Sequence, residues 1–211
     1  MGVKFRHVLK LTDNVWNRLY GKHPFTQGIG LAPTLLRPKS RGSVTLGGPS
    51  IHDPPVIDAN FLDHPDDLRT LVEGLKFIKT LEETEEFKKY DIRLIQDHML
   101  RGDHLMPDSD EYYERFAQGY LTTGYHPVGT CAMGSVVDHR LNVLGIGRLR
   151  VADASIMPRL VGGNTNAACV MIGEKAASMI LEDSERWRIM KSVLPYDNEG
   201  EERVQPITNS G

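Results

Sequence analysis

The strongest constraint on the fold is a segment near the C-terminal end that is apolar nearly all the way round a helix. Residues 167–172 read AACVMI, and two glycines, Gly162 and Gly163, stand shortly before them. A helix without a polar face is normally buried on all sides. We therefore expect a helix over residues 166–182 in the interior of a larger structure.

Short strands are predicted in two regions. Residues 32–61 contain three extended pieces, beginning with Leu35 and Leu36, separated by Pro and Gly. The clearest piece, residues 43–46, alternates polar and apolar side chains as a half-buried strand does. Residues 136–153 are typical of two short strands around a turn at residues 142–145.

The clearest helix is predicted to begin at Pro65, after a cap at Asp63 or His64. Acidic residues in its first turn, Asp66 and Asp67, favour the positive end of the helix dipole. Its apolar face has helical spacing and consists of Leu68, Leu71, Val72, Leu75 and Ile78.

Three weaker patterns complete the secondary structure. Residues 82–89 predict a solvated helix anchored by Phe87, and Asp108 with Glu111 resembles a capping box. One side of a short helix is predicted near the N-terminus, from Val15, Trp16, Leu19 and Tyr20. Residues 183–211 predict a polar tail that frays at its end. Helices and strands together indicate an α+β or α/β fold.

Composition excludes several classes of function. A net charge of −3 with no basic patch gives no reason to expect a nucleic-acid partner. No apolar run approaches the roughly 18–20 residues that span a bilayer. The two cysteines, Cys131 and Cys169, lack metal-ligand spacing, so no metal site is expected. Buried reduced thiols are the favoured interpretation, and a single bridge between them stays open.

Three short segments carry residues suited to chemistry. His126 is followed by Pro127, and a stiff backbone there can hold an imidazole in one direction, as a general base requires. Residues 162–167 (GGNTNA) open the apolar helix, where free backbone N–H groups stabilise negative charge. Residues 149–158 (LRVADASIMP) form a strand and tight turn that can approach a cofactor. Taken singly, the first two segments are better explained by an ordinary loop and a helix cap, and the third is equally well explained by a tight turn.

In combination these segments closely resemble the C-terminal region of the glucose–methanol–choline (GMC) oxidoreductases. The motifs occur in order as residues 126–134 (HPVGTCAMG), 149–158, 163–167 and 171–177 (MIGEKAA). Upstream, residues 36–42 (LRPKSRG) and 53–57 (DPPVI) look like the same family's substrate domain. The resemblance covers residues 10–182 and is closest to the glucose-dehydrogenase-like and choline-dehydrogenase-like branches.

The resemblance implies a fold and a division into domains. Residues 1–120 would belong to a substrate domain built on an antiparallel sheet. Residues 121–182 would close an FAD-binding domain of the Rossmann type, and residues 183–211 would form the tail. The family's Gly-rich dinucleotide fingerprint is missing from this sequence. We therefore expect a portion of a longer flavoenzyme that is inactive in isolation.

The resemblance also implies site residues and a reaction. His126 matches the histidine that removes the alcohol proton, and Asn164 matches a partner position that is His or Asn in the family. Cofactor contacts would come from Asp153, Ala154, Asn166 and Ala167. The expected substrate is a small alcohol, and the expected electron acceptor is oxygen or a quinone. Extracellular secretion is the first expectation for the compartment, with mitochondria as the alternative.

Two other functions remain open as alternatives. A catalytically inactive remnant would serve as a binding or scaffold module. A lyase would use the same fold and a bound flavin without redox chemistry, because some relatives catalyse cyanohydrin reactions. Bleaching of the flavin by alcohol in the absence of oxygen distinguishes the oxidoreductase from the lyase.

Overall fold

The computed structural model describes residues 12–14, 17, 29–94 and 105–193. The protein is mainly helical with a small two-stranded sheet. It divides into two compact units, Met1–His126 and Pro127–Gly211. The helix predicted from Val15, Trp16, Leu19 and Tyr20 lies outside the described residues, and so does the tail after residue 193.

The sheet consists of β1 (Ser43–Thr45) and β2 (Val56–Asp58), which pair antiparallel with Val44 opposite Ile57. Gly42 precedes β1 where a Cβ atom would lie 2.2 Å from the carbonyl oxygen of Asp58, so only glycine fits. Both strands are exposed along their whole length. The prediction of a half-buried strand was therefore wrong in its burial, because polar–apolar alternation marks a face that suits burial and does not supply the layer that covers it. The residues around Leu35 and Leu36 form no strand.

Helix α1 (Pro65–Thr80) begins where the sequence predicts. The backbone N–H of Asp66 donates to Nδ1 of the N-cap residue His64 at 3.2 Å. The predicted apolar face is partly or fully buried, and its best-shielded members are Leu71 and Val72. Val72 packs with Tyr112 and Tyr113 in the core of the first unit, which also contacts Leu68, Leu75 and Phe116.

Asp67, in the first turn of α1, is a buried carboxylate that is only 2% exposed. It accepts hydrogen bonds from the backbone N–H groups of Lys39 and Ser40, each at 2.8 Å, and from the Ser40 hydroxyl. The same hydroxyl accepts from the His64 N–H at 3.0 Å. Desolvation acts to raise the pKa of Asp67, but these donors outweigh it and the pKa lies below its ordinary value. The carboxylate thereby fastens residues 39–40 to the start of α1.

The charged stretch after α1 is helical as predicted only in two short pieces, because Thr84 between them is extended. A 3₁₀ turn, Leu81–Glu83, leads into the short helix α2 (Glu85–Lys89). Thr84 caps α2 by accepting the Phe87 N–H at 3.4 Å, and Phe87 is half-buried as an anchor.

Helix α3 (Asp110–Tyr120) differs from the sequence prediction at its cap. Ser109 is the N-cap, and its hydroxyl accepts the Tyr112 N–H at 3.2 Å. Asp108 instead turns the chain with a φ of 60°, and its carboxylate accepts the Tyr113 hydroxyl at 2.9 Å. Burial and then this carboxylate raise the pKa of Tyr113. The capping-box prediction was one residue out, because the pattern does not reveal which of two adjacent polar residues takes the extended conformation.

Replacing Ser109 with alanine should lower the free energy of unfolding by about 1 kcal/mol, because the Tyr112 N–H loses its acceptor. Urea denaturation followed by circular dichroism measures the change. The matched control is Ser178→Ala at an exposed mid-helix position, which should leave stability unchanged or slightly raised, since alanine is the better helix former. Equal effects at the two serines would contradict the capping role.

The second unit contains loops around a compact core. Val137 is completely buried, and the core is completed by Leu141, Ile156, Met157, Ile172 and Ala176. The two strands predicted over residues 136–153 are present only as isolated bridges, Val137 to Val143 and Asn142 to Arg150. Tight turns interrupt the ladder at each step, so no regular strand forms.

Helix α4 (Asn166–Val193) closes the second unit and continues eleven residues past the predicted end. Ile172 and Ala176 face the core, whereas Val170 and Met171 are 60% and 59% exposed. The prediction of burial on all sides was therefore wrong for this chain, because the core contacts only one side of the helix. Within the described ranges no helix is both long and apolar enough to cross a membrane.

Candidate functional site

His126 is the last residue of the first unit and is half-buried. It follows Tyr125, which has a φ of 61° and donates its backbone N–H to the Thr123 hydroxyl at 3.0 Å. A left-handed backbone is costly for a bulky residue and persists only where the surrounding structure holds it. Pro127 restricts the backbone on the other side. The imidazole therefore leaves a stretch of chain whose direction is fixed from both ends.

The segment that follows His126 is paired with the segment that contains Asp153. The Cys131 N–H donates to the Ser155 carbonyl at 3.0 Å, and the Met133 N–H donates to the Ile156 carbonyl at 2.8 Å. Gly129 has a φ of 95°, and a Cβ atom there would lie 3.3 Å from the Met157 carbonyl oxygen. Two of the three predicted motifs thus adjoin within the second unit.

Asp153 is exposed, and its carboxylate caps a 3₁₀ turn, Ala154–Ile156, by accepting the Ser155 N–H at 2.7 Å. Hydrogen bonds from the Ser155 side chain and backbone hold the pKa of Asp153 below its ordinary value. Ala154 packs against the core that includes Ile172 of α4. The turn therefore presents an ionised carboxylate at the surface while its alanine anchors it to the helix.

The start of α4 is open to solvent. Thr165 is buried, and its carbonyl accepts the Cys169 N–H at 2.9 Å, which is the first hydrogen bond of the helix. The N–H groups of residues 166–168 therefore have no acceptor within the helix. Asn164, Asn166 and Ala167 are all exposed, and the two glycines before them have open space where a side chain would stand. Such a helix start offers hydrogen-bond donors and positive potential to an anionic group.

The structure thus places the predicted residues on both units. His126 closes the first unit, whereas Asn164, Asp153, Ala154, Asn166 and Ala167 belong to the second. Cys131 and Cys169 are both free thiols. Among the described residues no group of three or more His, Cys, Asp or Glu side chains could hold a metal ion.

One charged cluster in the second unit was missed from the sequence. Asp183 pairs with both Arg140 and Arg150, which lie 43 and 33 residues before it. No motif or helical spacing links residues so far apart, so only the three-dimensional structure reveals the cluster. Desolvation acts to raise the pKa of Asp183, but the hydrogen bonds from Arg150 and Arg140 outweigh it and lower the pKa.

Comparison with known proteins identifies the family. The model described as GMC oxidoreductase matches residues 38–173, more than half of the chain. The glucose dehydrogenase [FAD, quinone] of Drosophila pseudoobscura pseudoobscura is 40% identical over 161 residues, covering 74% of this chain and 26% of that protein. The ecdysone oxidase of Bombyx mori is 36% identical over 174 residues, covering 82% and 26%.

A solved structure agrees with these sequence matches. A formate oxidase variant from Aspergillus oryzae RIB40, studied for FAD modification, superposes with a TM-score of 0.62 at 33% identity, covering 72% of this chain and 26% of that one. The chain spans about a quarter of the length of the curated relatives it matches. The resemblance predicted from the ordered motifs is confirmed, and the chain belongs to the glucose–methanol–choline (GMC) oxidoreductase family.

Proposed function

We propose that this chain is the C-terminal portion of an FAD-dependent oxidoreductase that converts an alcohol CH–OH group to a carbonyl. The observation that carries the proposal is the family match over residues 38–173, which includes every predicted site residue. It is supported by 40% identity to a protein named glucose dehydrogenase [FAD, quinone].

The open start of α4 fits a flavin. Exposed first-turn N–H groups near Asn166 and Ala167 suit the flavin edge that gathers negative charge on reduction. The exposed turn at Asp153 and Ala154 is anchored to the same helix and would contact the ribityl–diphosphate portion. When bound, FAD supplies the hydride acceptor, and the protein supplies position and electrostatics.

His126 and Asn164 would act on the substrate oxygen. His126 takes the hydroxyl proton while the hydride leaves the neighbouring carbon. The O–H electron pair becomes the second bond of the carbonyl, and the C–H electron pair reduces the cofactor. Asn164 donates a hydrogen bond to the same oxygen and fixes its orientation, a role that requires no change of charge. The constrained backbone around Tyr125 and Pro127 supports a fixed imidazole direction.

The domain assignment belongs to the same proposal. Residues 1–120 would contribute to an antiparallel-sheet substrate domain, and residues 121–182 would complete the FAD domain. Exposed β1 and β2, together with the exposed apolar side of α4, support packing against further protein. We infer that the rest of a longer polypeptide, carrying the Gly-rich fingerprint, covers these faces.

The substrate is proposed only as a small alcohol. The relatives are named for glucose, ecdysone and choline, which differ greatly in size and polarity. Oxygen or a quinone would be the electron acceptor, in line with the names of the relatives. For the compartment we propose the extracellular space, with mitochondria as the alternative.

The first experiment is the size and spectrum of the native polypeptide that carries this sequence. A product several times longer, with a flavin spectrum that alcohol bleaches without oxygen, is the expected result. A flavin that stays oxidised under the same alcohols would favour the lyase. A native product of about 24 kDa without bound FAD would favour the inactive scaffold.

Replacing Asn164 with alanine in the full-length protein should slow flavin reduction by about tenfold, because one hydrogen bond to the reacting oxygen is lost. Anaerobic stopped-flow absorbance measures the rate. Asn164→His should retain most of the activity, because family members use either residue at this position. An unchanged rate in Asn164→Ala would reduce the residue to a local cap at the helix start.

A further inference from the structure

The charged cluster of Arg140, Arg150 and Asp183 joins a loop to the late part of α4. Both oxygens of Asp183 are used, one by Nη2 of Arg150 and the other by Nη2 of Arg140 at 2.8 Å. Nε of Arg150 donates to the Arg140 carbonyl at 3.2 Å, which links the two arginines directly. All three side chains are partly buried.

Arg140 also reaches the helix beside Asp183. Its Nη2 lies 3.2 Å from the Met179 carbonyl oxygen and 3.1 Å from the Glu182 carboxylate. The attachment therefore involves the backbone of α4 as well as its side chains, and it fixes the direction of the loop as well as its distance from the helix.

The same loop has a second attachment to α4. Ile156 and Met157 pack against Ile172 and Ala176 in the core. Ala176 and Asp183 are separated by about 10 Å along the helix axis. The segment from Arg150 to Met157 is thus held at both ends on one helix, and the turn at Asp153 and Ala154 lies between the two attachments.

Stability alone is a weak reason for such a cluster. The three side chains stay between 21% and 34% exposed, and ion pairs this accessible to solvent contribute little to stability. Two arginines held on the two oxygens of one carboxylate give orientation instead, and Arg150 is only three residues before Asp153. Fixing Arg150 therefore restricts where the backbone of the turn can lie.

We propose that Arg140, Arg150 and Asp183 form a positioning cluster that holds the Asp153–Ala154 turn at a fixed position relative to the start of α4 for FAD binding. This inference rests on the proposed function, because it assigns a role to residues behind the cofactor surface. None of the three residues contacts substrate or cofactor in this role. They act through the backbone of the turn.

The test uses the full-length protein loaded with FAD. Asp183→Ala should raise the FAD dissociation constant by about tenfold and change the visible circular dichroism of the bound flavin, because the turn loses one of its two attachments. Asp183→Glu should restore much of both signals. Glu185→Ala is the matched control, since Glu185 is an exposed carboxylate on the same helix outside the cluster, and it should leave both signals unchanged.

A double-mutant cycle separates the effect of the Arg150–Asp183 interaction on FAD binding from the effects of each side chain alone. If Arg150 and Asp183 act together, Arg150→Met combined with Asp183→Asn should weaken FAD binding no more than either change alone. These milder variants also provide the measurement if Asp183→Ala does not fold.

Two outcomes overturn the inference and can be told apart. If the wild type binds FAD and the cluster variants bind it equally well with an unchanged flavin spectrum, the cluster is only a structural contact, even if the apoprotein melts earlier. If the wild-type full-length protein binds no FAD, the proposed function fails and the positioning role fails with it.

Discussion

Replacing His126 with alanine in the full-length protein should slow the anaerobic reduction of bound flavin by about 10²–10⁴-fold while FAD stays bound. The alcohol proton then has no positioned acceptor as the hydride leaves, and a general base is typically worth this factor in rate. Stopped-flow absorbance of the flavin band measures the reduction directly, before any electron acceptor takes part. Added imidazole should restore part of the rate by entering the space that the side chain leaves.

The control for this experiment is His52→Ala. His52 is an exposed histidine in the same unit, and its loss should not alter the reduction rate. A wild-type rate in His126→Ala would remove His126 from the assigned role. Loss of bound FAD in that variant would instead indicate a structural contribution to the cofactor site.

The local elements that the sequence predicted well are those with a local physical cause. Pro65 begins α1 because its fixed φ and missing N–H suit the first helical position, and the apolar spacing that follows requires no distant partner. The charged helix around Phe87 follows the same logic. The motifs around His126, Asp153 and Asn164 indicated the family because their order along the chain is far more specific than any one of them.

Burial and long-range pairing could not be predicted in this way. Val170 has the composition of a core residue, yet it is exposed because no described part of this chain packs against that side of α4. The pairing of Asp183 with Arg140 and Arg150 depends on how the loop folds back, and the sequence holds no signal for it. Asp67 was interpreted as a partner of the helix dipole, whereas its main role is to accept hydrogen bonds from residues 39–40.

The substitution Asp67→Asn should lower the free energy of unfolding by about 2–3 kcal/mol at neutral pH. The amide removes the charge and one acceptor, and it points an N–H donor at groups that are themselves donors. Urea denaturation of the purified protein measures the loss. Asp66→Asn is the matched control, because the neighbouring carboxylate is more exposed and forms surface ion pairs with Lys39 and Arg69 that contribute little.

The same pair of variants has a defined dependence on pH. Because the pKa of Asp67 is lower in the folded protein than its ordinary value of 3.8, its contribution is fully present above that value and is lost as the pH falls through the folded pKa. The difference in unfolding free energy between wild type and Asp67→Asn should therefore be constant from neutral pH to about pH 5 and shrink below pH 4. A difference that persists undiminished into strong acid would show that the loss comes from the misplaced amide donor of the Asp67→Asn variant and that the charge of Asp67 adds no stability. Its carboxylate would then not be what fastens residues 39–40 to the start of α1.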